Sequence, residues 1–429
     1  MKLHRFVREA EGNELSELET YPIIEQISKM KLLPCEIDIG EMVVHLLVKK
    51  DLDAEHYVNK MLETQQRTKR SYPLRPKDVV LYGFGRIGRL LTRILVSDTG
   101  AGIKWRLRAV VVRDSDHEDD LIKRASLLRN DSVHGTFPGT IRVNKKNNSL
   151  IVNGNEIFII YSNDPRKVNY KQYGIKKATL IDNTGVWTDE EGLSKHVKNP
   201  SVDRVILTAP AKGKIKNIVF GINDERLKGD EKIVGAASCT TNAITPPLRL
   251  IDDAYKIQSG HIETIHAYTN DQNLVDNYHK SDRRGRSAAL NLVITNTGAA
   301  KAVSDVIPEL KGKLTANAIR VPTPNVSLAI MNLNLKKSVG VEELNELFKQ
   351  AAFHSNLRTI IDYSNSIDGV SSDFYSSEFA CVYDAQATIT NFNSVTIYVW
   401  YDNEYGYSRQ VVRLLKKVLG VNLIRYPKQ

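Results

Sequence analysis

The sequence holds 429 residues, 41% hydrophobic and 26% charged, enough to bury the cores of two domains and an extension. There is no apolar run of 18 residues, no signal-peptide pattern after Met1, and only three widely spaced cysteines (Cys35, Cys239, Cys381), so a cytoplasmic chain without membrane span, disulfide framework or metal site is expected. The net charge of +10 forms no basic arm: residues 1–76 carry 12 Lys/Arg and 13 Asp/Glu and the rest 48 and 37, a spread that fits attraction of anionic small molecules such as phosphates and dinucleotides at least as well as a nucleic-acid footprint, and no nucleic-acid partner is expected.

Residues 1–76 show apolar positions at three-to-four spacing, at Ile23, Ile24, Ile27, Met30 and Leu33 and again at Met42, Val43, Leu46 and Leu47, which predicts a helical N-terminal extension. Gln65 to Pro76 is polar and basic with two prolines, as in a linker. From Lys77 the pattern changes. Strands are predicted at Val79–Tyr82, Ala109–Val112, Ile157–Tyr161, Ala178–Asp182, Val205–Thr208 and Lys232–Val234, with helical segments between, the alternation of an α/β doubly wound parallel sheet. This dinucleotide domain is expected to span 77–238. Beyond about residue 260 longer strands follow, at Ile262–His266, Asn317–Val321, Val326–Asn334 and Ser394–Tyr401, in a second, mostly antiparallel α+β catalytic domain over 239–402. An amphipathic helix over Ser408–Leu419 is expected to return to the first domain, completing it with residues 403–429.

Gly83, Gly85 and Gly88 form G-x-G-x-x-G between a strand and a helix, the setting in which glycines let backbone approach a pyrophosphate and the helix start supplies N–H donors. Asp114 follows the second strand 26 residues past Gly88, a delay attributed to an insertion containing Trp105. Its carboxylate suits the adenosine ribose of NAD, while Arg113 beside it would accept the extra phosphate of NADP. Cys239 precedes a helical stretch, where the dipole and free N–H groups are expected to lower the thiol pKa, and His266, 27 residues on, is the candidate base. Cys35 and Cys381 read as small buried hydrophobes.

GFGRIGR (83–89), SCTTN (238–242), TGAAKAV (297–303), RVPTPNVS (320–327) and WYDNEYGYS (400–408) together resemble the glyceraldehyde-3-phosphate dehydrogenase family, in the family's order and over essentially all of 77–429. The resemblance implies a Rossmann-type first domain holding NAD, or NADP in place of it, through Gly83, Gly85, Arg86, Ile87, Gly88, Asp114, Asn403 and Tyr407. It implies that Cys239 attacks an aldehyde, that His266 takes the proton, and that hydride leaves for the nicotinamide, whose carboxamide Asn403 hydrogen-bonds. Ser238, Thr240, Thr297 and Gly298 match the positions that hold the attacking inorganic phosphate. Thr269, Asp271 and Arg320 match those around the phosphate of glyceraldehyde 3-phosphate. A homotetramer, or at least a dimer, is implied as well.

Four departures stand out. Asp271 is an acid where many relatives have a hydroxyl, and Gly235-Ala236 stands where many have Ser-Asn. The loop after His279 is one residue short, and the 76-residue extension carries no chemical motif, so a docking or assembly role is expected of it. Erythrose-4-phosphate dehydrogenase activity and a nucleic-acid-binding or scaffold role on a relic fold are the alternatives.

Overall fold

The computed structural model describes residues 15–33, 35–48, 53–66, 76–99, 104–115, 117–421 and 425–427; the expected linker falls almost wholly outside them. The chain divides into two compact units, Met1–Arg75 with Gly420–Gln429, and Pro76–Leu419.

In the first unit the expected helices are Glu17–Lys29, Ile39–Val48 and Ala54–Leu62. Ser16 and Glu19 form a capping box at the first, and Asp53 accepts the His56 N–H at the third, so the orphan donors of both helix starts are met locally. Their apolar faces enclose Ile23, Met42, Val43, Val58 and Leu62, all at most 1% exposed. Strand β1 (Glu36–Ile37) pairs in parallel with Arg425–Tyr426 from the far end of the chain. Tyr426 is buried in this same core, and its hydroxyl meets Thr64 Oγ1 at 2.8 Å and Gln65 Nε2 at 3.0 Å. The segment 403–429 therefore divides. Helix Tyr405–Leu419 packs on helix Arg86–Asp98, whereas the tail supplies the extension with an aromatic body and a polar handle.

The second unit holds two sheets. The first contains β2 (Lys77–Tyr82), β3 (Trp105–Val112), β4 (Ile141–Asn144), β5 (Ser149–Val152), β6 (Asn155–Tyr161), β7 (Ala178–Asp182), β8 (Val202–Leu207) and β9 (Ile233–Gly235), in the order β4-β5-β6-β3-β2-β7-β8-β9. Pairing from β6 to β9 is parallel, and the β4–β5–β6 edge is antiparallel. Strands covered on both faces read as continuous apolar runs, and Val79–Leu81 and Ala109–Val111 are fully buried. Trp105, expected in an insertion, is the buried first residue of β3. The strand order reverses at β2, so the glycine turn after it opens at the topological switch point where ligands bind in such sheets.

The second sheet contains β10 (Ile257–Ala267), β11 (Val293–Asn296), β12 (Leu314–Val321), β13 (Ser327–Leu335), β14 (Ile361–Ser364), β15 (Cys381–Asp384), β16 (Ile389–Asn391) and β17 (Ser394–Tyr401), in the order β11-β12-β10-β13-β17-β15-β14, with β16 on β17. Two pairs, β10–β12 and β14–β15, are parallel and the rest antiparallel. Alternation along β13 sends Ala329, Met331, Leu333 and Leu335 into a core shared with helices Cys239–Tyr255 and Val341–His354. Register then places side chains: His266 lies opposite Arg320, and Ser327 opposite Tyr401.

Candidate active site

The strand-to-helix turn after β2 has the geometry the glycines imply. Gly83 has φ +107°, and a Cβ on Gly88 would lie 2.5 Å from the Gly83 carbonyl oxygen, so neither position tolerates a side chain without movement. Gly85 is the N-cap of helix Arg86–Asp98, and Ile87 lies in its first turn. Beside the turn is a cavity of about 620 Å³ lined by Gly83, Phe84, Gly85, Arg113, Asn163 and Asn183, among others. The Asn183 amide, which sequence reasoning overlooked, has both polar atoms buried without a partner among the described residues and sits against Gly83 and Gly88. A glycine cradle and an orphaned amide on one cavity fit a dinucleotide phosphate group. Asp114 lies at the rim, its carboxylate accepting from Asn163 Nδ2 at 3.0 Å, while Arg113 lines the cavity itself. The Arg86 side chain points elsewhere: Nε and Nη2 each lie 2.5 Å from a Glu404 oxygen, and Nη1 lies 3.3 Å from Asp131.

Cys239 is the first residue of helix Cys239–Tyr255, and its N-cap Ser238 accepts the Thr241 N–H at 3.0 Å. Ala237, just before, has φ +56°, a left-handed conformation held by the Tyr407 hydroxyl, which donates to the Ala237 carbonyl at 2.9 Å. The thiol sulfur lies 3.6 Å from His266 Nε2. On the other ring edge His266 Nδ1 lies 2.7 Å from the Ala267 carbonyl oxygen and 2.7 Å from Arg320 Nη1, which also donates to that oxygen at 3.0 Å. A proton on Nδ1 satisfies the carbonyl and leaves the Nε2 lone pair facing sulfur; because a guanidinium only donates, in that tautomer Arg320 bonds the Ala267 oxygen and not Nδ1.

Burial pushes the Cys239 thiol up, opposed by the Arg320 guanidinium and by hydrogen bonds from Thr240 and from the Cys239 amide. Burial and then Arg320 carry His266 down to about 3, against the Ala267 hydrogen bond. Desolvation thus outweighs the lowering expected at a helix start, and the net direction for the thiol is upward.

Thr240 is buried, with Oγ1 3.1 Å from the Tyr401 hydroxyl, a further residue that the sequence reading passed over. Thr297 Oγ1 accepts the Ala299 N–H at 3.2 Å and Gly298 is the formal N-cap of helix Ala299–Val306, so capping and an anion-accepting helix start coincide here. That helix packs on Cys239–Tyr255. Arg320 Nε is buried without a partner among the described residues. Thr269 and Asp271 follow β10. The Asp271 carboxylate is bonded by Arg284 and lies 3.7 Å from His279 Nε2, so its charge is balanced and the expected repulsion of a phosphate is relieved. Asn403, 7% exposed, accepts from Ser327 Oγ at 2.9 Å through Oδ1.

Comparison with known proteins gives one consistent result. The family profile described as glyceraldehyde 3-phosphate dehydrogenase, NAD binding domain, matches residues 77–190, and the corresponding C-terminal domain matches 238–403. A "Glyceraldehyde-3-phosphate dehydrogenase-like protein" of Pseudomonas aeruginosa (strain UCBPP-PA14) is 55% identical over 431 residues, covering 100% of this chain and 93% of that protein, so the similarity takes in the extension. The glyceraldehyde-3-phosphate dehydrogenase of Zymomonas mobilis is 37% identical over 336 residues, with 78% of this chain and 96% of that protein covered. Glyceraldehyde-3-phosphate dehydrogenase B, chloroplastic, of Pisum sativum is 41% identical over 342 residues, with 78% and 72% covered.

Proposed function

The chain belongs to the glyceraldehyde-3-phosphate dehydrogenase family, and from that premise we propose that it is the phosphorylating enzyme, making 1,3-bisphosphoglycerate from glyceraldehyde 3-phosphate, inorganic phosphate and NAD. The observation that carries this is the Cys239–His266 contact at 3.6 Å beside Arg320. Cys239 sulfur adds to the aldehyde carbon, with His266 Nε2 taking the thiol proton and returning a proton to the new oxygen. When bound, NAD accepts the hydride from that carbon. His266 removes the hydroxyl proton as the carbon–oxygen double bond re-forms, leaving a thioester on Cys239. Inorganic phosphate held by Ser238, Thr240, Thr297 and Gly298 attacks the thioester carbonyl; the carbon–sulfur bond breaks and the thiolate regains its proton from the imidazolium. Arg320, with Thr269 and Asp271 nearby, anchors the substrate's own phosphate, a task for which a guanidinium offers paired donors.

Asp114 at the rim supports NAD as the preferred cofactor, and Arg113 in the cavity wall supports some use of NADP. A homotetramer, or at least a dimer, is supported by the exposed apolar side chains Leu274, Val275, Tyr278, Leu290 and Leu292, 67–92% accessible within one short segment. The extension, with Leu18 85% and Tyr21 62% exposed, suits an assembly role. A cytoplasmic location accords with the free thiols of Cys35, Cys239 and Cys381. Steady-state rates with NAD and NADP, on glyceraldehyde 3-phosphate and erythrose 4-phosphate, with and without phosphate, test the assignment. Phosphate-dependent oxidation of the triose that disappears in Cys239→Ser is expected; phosphate-independent turnover, or activity surviving that substitution, overturns it.

A further inference from the structure

We propose that Ser327 is a positioning residue that fixes which end of the Asn403 amide faces the nicotinamide. Ser327 is 1% exposed at the first position of β13, between the end of β10 and the start of the helix that follows β17. Its hydroxyl oxygen lies 3.1 Å from the Ala267 nitrogen, whose N–H it accepts, and 2.9 Å from Asn403 Oδ1, to which it donates. A backbone N–H only donates, so Oγ accepts there. The one serine proton goes to Asn403 Oδ1, which can only accept. With Oδ1 occupied, Asn403 has a single free end. Nδ2 makes no hydrogen bond among the described residues, and its two protons are the group that the site can present to a cofactor.

A carboxamide ring substituent has an acceptor end and a donor end. Presented with an N–H₂ donor, it is held through its carbonyl oxygen. The amide of asparagine is nearly symmetric in shape, so without Ser327 the terminal torsion turns freely and Oδ1 competes for the donor end instead. Ser327 also ties this orientation to Ala267, whose carbonyl holds His266 Nδ1, so the residue facing the ring and the base are aligned through one oxygen.

The inference rests on reading Asn403 as the residue that faces the nicotinamide, and the experiment separates the two. Ser327→Ala, Ser327→Thr and Asn403→Ala are compared in the full-length protein with NAD and with 3-acetylpyridine adenine dinucleotide, whose ring keeps the carbonyl acceptor but has no N–H₂. In Ser327→Ala, the KM for NAD is expected to rise about tenfold, the value that corresponds to about 1.4 kcal/mol. The KM for glyceraldehyde 3-phosphate stays near the parent value, and the preference for NAD over the analogue grows, because a freed Oδ1 now rewards the amide donor that the analogue lacks. Ser327→Thr, which keeps the hydroxyl, restores the parent ratio. An unchanged NAD KM and analogue ratio in Ser327→Ala, beside an impaired Asn403→Ala, overturns the positioning role alone. An unimpaired Asn403→Ala overturns the reading of Asn403 as well. If the alanine variant does not fold, Ser327→Cys, with a weaker donor of similar size, is read in its place: the same shifts in smaller measure support the role, and parent values overturn it.

Discussion

The Tyr407 hydroxyl donates to the Ala237 carbonyl at 2.9 Å, so the last helix of the larger unit holds the peptide two residues before the Cys239 nucleophile. Ala237 sits at φ +56°, a conformation that costs a non-glycine residue about 1 kcal/mol or more and persists only where neighbours enforce it. Tyr407→Phe keeps the ring in the core and leaves the carbonyl unpaired. We expect a stability loss of about 1–3 kcal/mol and a several-fold slower pre-steady-state burst of NADH, measured by stopped flow. A burst at the parent rate means the hydroxyl does not place the thiol.

Arg86 and Glu404 make a second tie, between the start of the dinucleotide helix and the residue after Asn403. The pair is bidentate and partly sheltered, with side-chain exposures of 29% and 14%, and His134 Nε2 adds a contact to Glu404 at 3.0 Å. Glu404→Gln removes the charge but little volume, and a cost of about 1–3 kcal/mol is expected, as for hydrogen bonds to charged groups. A raised KM for NAD should accompany it, with the aldehyde KM unchanged. Arg86→Lys is expected to behave like Glu404→Gln, because an ammonium cannot reproduce the planar fork. Thermal melts and initial rates on the two variants check both statements.

Much of this site was legible because its signals are local. The glycine turn, the cysteine before a helix and the strand ending at His266 each declare themselves within a dozen residues, and their order along the chain carried the family resemblance. What stayed hidden depends on contacts distant in sequence. Only the β10–β12 register brings Arg320 beside His266, only the β13–β17 register brings Ser327 to Tyr401, and Asp271 finds Arg284 through a loop. Desolvation of the thiol, which the five residues around Cys239 do not reveal, opposes the lowering that a helix start supplies. The tail was assigned to the dinucleotide domain because its helix belongs there; the two-residue strand at Arg425–Tyr426 is too short to announce another partner.

Acid stability follows from Asp98, which joins Arg409 at 2.7 Å and Lys416 at 2.9 Å and so pins helix Tyr405–Leu419 to helix Arg86–Asp98. Burial alone would raise the Asp98 carboxyl, but the two cations outweigh it and hold it below its usual value. A carboxylate depressed in the folded state contributes stability above its unfolded pKa, about 3.9, and loses it as pH falls through the lower folded value. Asp98→Asn should therefore melt below the parent at pH 7, and the gap should close toward about pH 3. A gap that widens on acidification contradicts the sign.

Tyr426 carries the last prediction. The ring is 1% exposed among Ile23, Met42, Val58 and Leu62, and the hydroxyl serves Thr64 and Gln65, so it fills space and satisfies polar groups in a small core. A large aromatic-to-alanine change in such a place costs about 3–5 kcal/mol, comparable to the whole stability of a unit this size. Tyr426→Ala should therefore expose the extension to limited proteolysis while the unit Pro76–Leu419 stays protected, since none of the residues around Cys239 lies in the smaller unit. Tyr426→Phe keeps the packing and should lose only about 1 kcal/mol with the hydroxyl. Turnover of glyceraldehyde 3-phosphate by a protease-trimmed Tyr426→Ala sample then reports whether the extension acts on catalysis or on assembly: a parent kcat with a smaller particle by light scattering assigns it to assembly, and a lost kcat at unchanged particle size rules that role out.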